Sequence, residues 1–261
     1  MAKSDNIIYK ISINSLSNLL NKIKDLTKLD TRVLFVFDNT DLLLYSMVGN
    51  SNSVHGFKNH IMKMKDLFTT KSQLEEPIKF SITDAKKFIV SVSAFVKYMK
   101  NQNIDDDLTF KLTYNDENFV EKLLIQNKKS KEDIVGGDPS AFKQSIDIDT
   151  INELMDIDAS EFSFVLKKDD YDYIKSKLAI DKTNDVLYLN IKDKKLIIGE
   201  NRWEHTICDI ESDDNTTSFP KKYFKCIDFG SSNEMTIYLF DRFILIMGEN
   251  TNLMISVELT A

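Results

Sequence analysis

Side chains able to do chemistry beyond simple charge are few in this chain: His55, His60 and His205, Cys208 and Cys226, and the acidic clusters Asp105-Asp106-Asp107 and Asp213-Asp214. Zinc needs three or four converging Cys or His ligands, and a nucleophilic triad needs a base oriented by a carboxylate. The histidines are too scattered for either, and the two cysteines lack zinc spacing. Both aspartate clusters fall between a strand and a helix, where turn carboxylates are ordinary. No glycine-rich phosphate loop occurs. Asp228-Phe229-Gly230 spells the kinase tripeptide, but without the glycine-rich and catalytic loops that give it meaning. The expectation is a protein without catalysis, metal or cofactor.

What remains is charge. The chain is acidic, with a net charge of −7, which argues against binding nucleic acid over its whole surface. Of 34 basic residues only Arg32, Arg202 and Arg242 are arginine. Lysine is a compact point charge, suited to phosphates rather than to bidentate readout of bases.

The elements that position those lysines follow from periodicity. Phe162, Phe164 and Leu166 alternate with polar or smaller residues and predict a strand over 161–167. Asp169 and Asp170 then cap a helix over 168–179, with Tyr171, Ile174 and Leu178 on one face. The same unit heads the chain, where Tyr9, Ile11 and Ile13 alternate and Asn14-Ser15 opens a helix through Leu29. Strands follow over 31–38, 41–47 and 54–58, then an irregular stretch, 60–76, read as a loop or short helix. After a strand over 77–82, Thr83-Asp84 caps a helix through Lys100 with apolar residues at 3/4 spacing, and strands follow over 108–114 and 118–126. A short helix is expected around Thr150–Met155. The second half adds strands over 185–191, 194–200 and 203–211, a helix over 219–228 opened by Phe219-Pro220, and strands over 234–240, 242–248 and 252–259.

The second half thus reads β-α-β-β-β-α-β-β-β and the first is read as matching it apart from an insertion at 60–76, a duplicated α+β architecture of antiparallel sheets with helices on one face. The boundaries are 1–127 and 161–261, with 128–160 as linker on the strength of its charge run, Gly136-Gly137 and Pro139. The predicted helices are the basic part: +2 for 15–29, +3 for 83–100, 0 for 168–178 and +2 for 219–228, leaving −14 elsewhere. At 100° per residue Lys221, Lys222 and Lys225 share one arc, opposite Tyr223, Phe224 and Ile227. No apolar run approaches the ~18 residues of a membrane span, and the N-terminus lacks a signal-peptide core, so a cytoplasmic protein is expected.

Two repeated halves, basic helices on an acidic chain and no catalytic site resemble the DNA sliding clamps, the processivity factors of DNA polymerases. Size and lysine content resemble the two-domain, trimeric kind, as in proliferating cell nuclear antigen and, more closely, the clamps of tailed bacteriophages. The stretches that carry the likeness are DLLLYSM with the turn after it and the ending NLMISVELTA. The resemblance implies a homotrimeric ring around double-stranded DNA, held without sequence preference, that tethers a replicative polymerase and is opened by an ATP-driven loader. By position along the chain it implies DNA contact at Lys22, Lys28, Lys86, Lys87, Lys97, Lys175, Lys221, Lys222 and Lys225. It further implies a partner-peptide pocket at Met47, Val54, Phe57, Phe229 and Leu259. Subunit pairing is expected through strands 118–126 and 203–211, marked by Leu124 and Trp203. The competing reading is a non-catalytic phage structural or protein-interaction module built from the same repeats.

Overall fold

The computed structural model describes residues 5–49, 54–70, 73–102, 107–138, 153, 156–180, 185–248, 251–256 and 258–259. The chain forms two compact units, Met1–Ser51 with Lys58–Ile148, and Asn52–Phe57 with Asp149–Ala261.

Unit 1 holds β1 (Asp5–Ile11), α1 (Ile13–Leu26), β2 (Val33–Phe37), β3 (Asp41–Gly49), most of β4 (Val54–Lys63), α2 (Met64–Leu67), β5 (Ile78–Ile82), α3 (Ala85–Asn101), β6 (Leu108–Tyr114), β7 (Val120–Gln126) and β8 (Lys131–Val135). Unit 2 holds β9 (Phe162–Lys167), α4 (Lys168–Ile180), β10 (Val186–Lys192), β11 (Lys195–Glu200), β12 (Trp203–Asp209), β13 (Asn215–Pro220), α5 (Lys221–Phe224), β14 (Glu234–Leu239), β15 (Phe243–Met247), β16 (Thr251–Ser256) and β17 (Glu258–Leu259). The opening residues of β4 group with unit 2, where Ser256 Oγ donates to the Val54 carbonyl.

The pairing exposes the duplication that residue identity hides. In unit 1 the orders are β1-β6-β7-β8 and β5-β2-β3-β4; in unit 2 they are β9-β14-β15-β16 and β13-β10-β11-β12. Every strand of one unit has a counterpart with the same neighbours in the other, and the observed repeat is β-α-β-β-β-β-α-β-β-β. Unit 2 adds β17, whose Leu259 registers with Thr217 on β13. Asp193 and Lys194, both at positive φ, make the tight turn between β10 and β11.

Each core follows from the alternation. In unit 1, Leu16, Leu19, Ile23 and Leu26 of α1 and Phe88, Val92, Phe95 and Met99 of α3 are buried over Phe35 and Phe37 of β2 and Phe110 of β6. Ser12 caps α1 by accepting from Ser15 N, and Asp84 caps α3 by accepting from Lys87 N. In unit 2 the Tyr171 ring of α4 lies 5.2 Å from Phe224 and 5.2 Å from Phe229, and its hydroxyl donates to the Ile227 carbonyl at 3.1 Å.

Several expectations need correction. Ile13 belongs to α1, not to the first strand, because Ser12 takes the cap. The stretch 60–76 is neither loop nor helix alone: β4 runs to Lys63, α2 adds one turn, and Phe68 bridges to Ile11. The expected linker contains β8, paired residue by residue with β7. The expected helix over 219–228 shrinks to one turn, because Asn215–Pro220 is drawn into the sheet as β13 beside β10. The helix expected at Thr150–Met155 lies outside the described residues apart from Glu153.

Candidate nucleic-acid interface

Helix α3 carries more lysines than any other helix of unit 1. Its inward stripe is apolar, and four lysines with no acid stand on its 17 residues. Lys86, Lys87, Lys97 and Lys100 are exposed, with Ser93, Ala94 and Val90 between them. Among the described residues none of these four makes an ion pair, so their charge is free for a ligand. Ser91 Oγ donates to Glu132 of β8, which ties the flank of the helix to the sheet.

Helix α1, packed beside α3, is quieter. Lys24 is exposed and Lys22 half-buried, while Lys28, just past the helix end, pairs with Asp25 at 2.9 Å. Asp25 is the centre of a buried network that charge counting missed. Its Oδ2 receives Lys58 Nζ at 2.6 Å and His60 Nε2 at 2.8 Å. Lys58 has no exposed surface at all. Burial alone would push the Asp25 carboxyl up, but donation from His60, Lys58 and Lys28 holds it well below the usual carboxylate range. Burial pushes His60 down against the pull of Asp25, so the ring is neutral at pH 7 and donates Nε2–H. The network fixes the C-terminal turn of α1 to β4. The sequence signal was Lys58 and His60, two apart on one face of a strand that also carries Phe57, Ile61 and Met62.

In unit 2 the lysines are less free. Lys175 is exposed but leans over the Tyr171 ring at 5.3 Å, and Lys222 lies 4.8 Å from the Tyr223 centroid. Lys225 is exposed where α5 ends. Lys221 departs from expectation: its side chain is buried, with Nζ 3.5 Å from Glu200 Oε1. The shared arc assumed a continuing helix; with one turn only, the first lysine faces the sheet. Lys221 therefore leaves the set of candidate DNA contacts.

The remaining expected residues are distributed as follows. Phe57 and Phe229 are core side chains, 4% and 7% exposed, which removes them from an accessible pocket. Met47 and Val54 are half-buried. The side chain of Leu259 lies outside the described residues. Leu124 sits on β7, which is hydrogen-bonded to β6 on one side and β8 on the other, so it has no open edge to offer. Trp203 begins β12, which ends its strand order, and its indole donates to Glu200 at 3.3 Å. Among the described residues β8 and β12 each end a strand order and pair on one side only. The sequence concealed β8 because its five residues, KEDIV, carry three charges; Glu132 and Ile134 turn inward and Lys131, Asp133 and Val135 outward.

Among the described residues no three His, Cys, Asp or Glu side chains come together as a metal site. No helix there is long and apolar enough to cross a membrane.

No family model matches the sequence, and no curated protein matches it. Solved structures do. The β subunit of DNA polymerase III from Pseudomonas aeruginosa superposes with a TM-score of 0.63 at 12% identity, over 98% of this chain and 65% of its own. A β clamp from Helicobacter pylori gives 0.64 at 14% identity, over 98% and 64%. The β subunit from Borrelia burgdorferi gives 0.64 at 16%, over 96% and 64%. The chain thus spans slightly less than two thirds of the length of these proteins. Together with the repeated strand orders, this defines the class: the chain has the DNA-clamp fold, an α+β architecture of antiparallel sheets and few helices. Within that fold it is a two-unit form.

Proposed function

We propose that the chain is a DNA sliding clamp, a non-enzymatic processivity factor that encircles duplex DNA and tethers a replicative polymerase. The observation that carries this reading is the acid-free lysine face of α3 in a clamp fold whose chain is otherwise acidic. A clamp must attract phosphates without reading bases, so that it holds the duplex and still slides. Unpaired lysines on a rigid helix meet that need, and acidic surface elsewhere discourages DNA from binding there.

Ring closure is proposed through head-to-tail pairing of β8 on one copy with β12 on the next. Among the described residues both strands pair on one side only, and a heterologous contact must either close or grow into a filament. Three copies, opening by an ATP-driven loader, a phage source and action in the cytoplasm of its host rest on the resemblance. So does the docking of polymerase and loader peptides, for which Met47, Val54 and Leu259 remain the candidates. The DNA-contact set is Lys22, Lys28, Lys86, Lys87, Lys97, Lys175, Lys222 and Lys225, with Lys24 and Lys100 added from their exposure.

The test is the triple variant Lys86→Glu, Lys87→Glu, Lys97→Glu. These exposed changes should leave folding nearly intact, since surface charges contribute little to stability. Each lost phosphate contact should lower the slope of log affinity against log salt by about 0.9. Processive synthesis should collapse. An unchanged salt slope and unchanged polymerase stimulation would remove α3 from the DNA interface.

A further inference from the structure

The edges of β8 and β12 carry the information that decides how two copies would meet. In an antiparallel pair, hydrogen-bonded and non-hydrogen-bonded residues alternate. Beside β8, Asn127 N donates to the Ser130 carbonyl and Gly136 N to the Glu121 carbonyl. Between those two bonds, Glu132 and Ile134 bond to β7, while Lys131, Asp133 and Val135 turn N–H and C=O away from it. On β12 the two-residue turn Asn201-Arg202 makes Glu200 and Trp203 a bonded pair, so Glu204 and Thr206 turn away from β11. A Cβ placed on Gly199 would lie 3.0 Å from the Glu204 Cα, the close approach of a non-hydrogen-bonded pair. The register then shifts between Leu196 and Ile197, which leaves Ile207 as an extra residue, a β-bulge. Beyond it Ile210 N donates to the Lys194 carbonyl, so Asp209 again faces away from β11.

The side chains follow the backbone. Lys131, Asp133 and Val135 lie on the face away from α3, whose Ser91 reaches Glu132. Glu204, Thr206 and Asp209 are exposed on the face away from α4, whose Asp170 lies 2.8 Å from His205 Nε2. Antiparallel addition of β8 to β12 has three registers that oppose at least two of these residues from each strand. Sliding β8 one way sets Asp133 against Glu204, and sliding it the other way sets Asp133 against Asp209. Both place like charges directly opposite, which is destabilising. The register between them sets Val135 against Glu204, Asp133 against Thr206 and Lys131 against Asp209. It alone uses all five residues of β8, and it pairs opposite charges. Lys131 can turn to Asp209, because Lys122 also holds the Asp133 carboxylate, at 2.9 Å. Val135, 79% exposed in the single chain, is then covered, and Ile134 meets His205, whose ring lies 4.7 Å from Tyr173.

We propose that copies of this chain meet in this one register, with Val135, Asp133 and Lys131 of one copy opposite Glu204, Thr206 and Asp209 of the next. The inference rests on the ring reading above and names the residues that make its contact selective. Backbone pairing supplies the contact, and the order of charges selects the register.

Paired cysteines test it in the full chain with Cys208→Ser, Cys226 being buried. Opposed residues of a hydrogen-bonded pair have Cα atoms about 5.5 Å apart, within disulfide reach, whereas a displacement of two residues gives about 7–8 Å, beyond it. With oxidised glutathione, Val135→Cys with Glu204→Cys, and Asp133→Cys with Thr206→Cys, should give covalent oligomers on a denaturing gel. Asp133→Cys with Glu204→Cys, and Asp133→Cys with Asp209→Cys, should link at least tenfold more slowly. Equal or faster linking by either displaced pair would overturn the register. A charge exchange needs no new thiol: Lys131→Asp should weaken self-association about threefold, and adding Asp209→Lys should restore it. A double reversal no better than the single one would overturn the register too. Absence of every link in a chain that still assembles would do the same and leave the ring reading standing. A wild-type chain that is monomeric would remove both.

Discussion

Replacing Asp25 by asparagine is the sharpest perturbation of what holds α1 in place. The change keeps the shape and one acceptor oxygen but removes the charge that balances Lys58, whose side chain is fully buried. Breaking a buried pair by deleting one partner costs about 3–5 kcal/mol, because the surviving charge is left without compensation. The retained amide oxygen places Asp25→Asn near the lower end, about 3 kcal/mol, still a large share of the ~5–15 kcal/mol that holds a typical domain. Lys28 adds little to this, since its side chain is 44% exposed and solvent screens the pair. The double change Asp25→Leu with Lys58→Met should recover only part of the loss, because it removes the buried charges but takes from His60 the carboxylate its Nε2–H donates to. Urea unfolding is the assay, followed by far-UV circular dichroism. The single tryptophan, Trp203, lies in unit 2 and serves as an internal control. The network also sets a pH dependence with a definite sign. His60 is depressed in the folded chain, so stability present above its ordinary value near 6.5 is lost as pH falls through that value. Asp25 is depressed too, so a further loss begins below about pH 4. A cost under about 1 kcal/mol for Asp25→Asn would refute the reasoning, because a buried pair cannot be broken so cheaply. So would stability of unit 1 that stays flat between about pH 7 and 5, where the unfolded His60 takes up its proton.

Two further predictions concern Lys221 and the open edges. Lys221→Met strands the buried Glu200 carboxylate and should destabilise unit 2 by about 3 kcal/mol, without changing the salt slope of DNA binding; a change in that slope would return Lys221 to the interface. On β12, Glu204 and His205 are paired in regular register with Gly199 and Ile198 of β11, so one of their two N–H groups must face the open edge. Of Glu204→Pro and His205→Pro, one should stay folded and lose self-association, which sizing chromatography reports; if both folded variants still associate, β12 is not the contact. Leu124→Pro, by contrast, breaks an interior ladder and should unfold unit 1 rather than release folded monomers.

Long, strongly periodic elements were legible in the sequence. Helix α3 declared itself through its 3/4 apolar stripe and the Asp84 cap, and β9 with α4 through the switch from period two to the helical period. Exposed lysines on α3 could be read because nothing competes with solvent for them. Elements decided by tertiary contacts were not legible. Strand β8 has a charged outer face because it is an edge, and such a face looks like a linker. Helix α5 lost its first half to β13, a choice made by pairing with β10 and invisible locally. Lys221 and Asp25 enter the helix charge sums as if exposed, yet each is buried against a partner far along the chain, Glu200 for one and Lys58 with His60 for the other. Phe57 and Phe229 were placed by order along the chain, which does not reveal which face of a strand or turn is covered.

The central proposal is that copies of this chain join head to tail into a closed ring. Its most direct test is the native mass of the purified chain. With a subunit of 30.1 kDa, a closed head-to-tail ring of three should appear as a single species of about 90 kDa, and the β12 proline variant that keeps its fold should fall to the mass of one chain. A wild-type chain that stays monomeric at high concentration, or that stops at a two-fold dimer, would contradict the account.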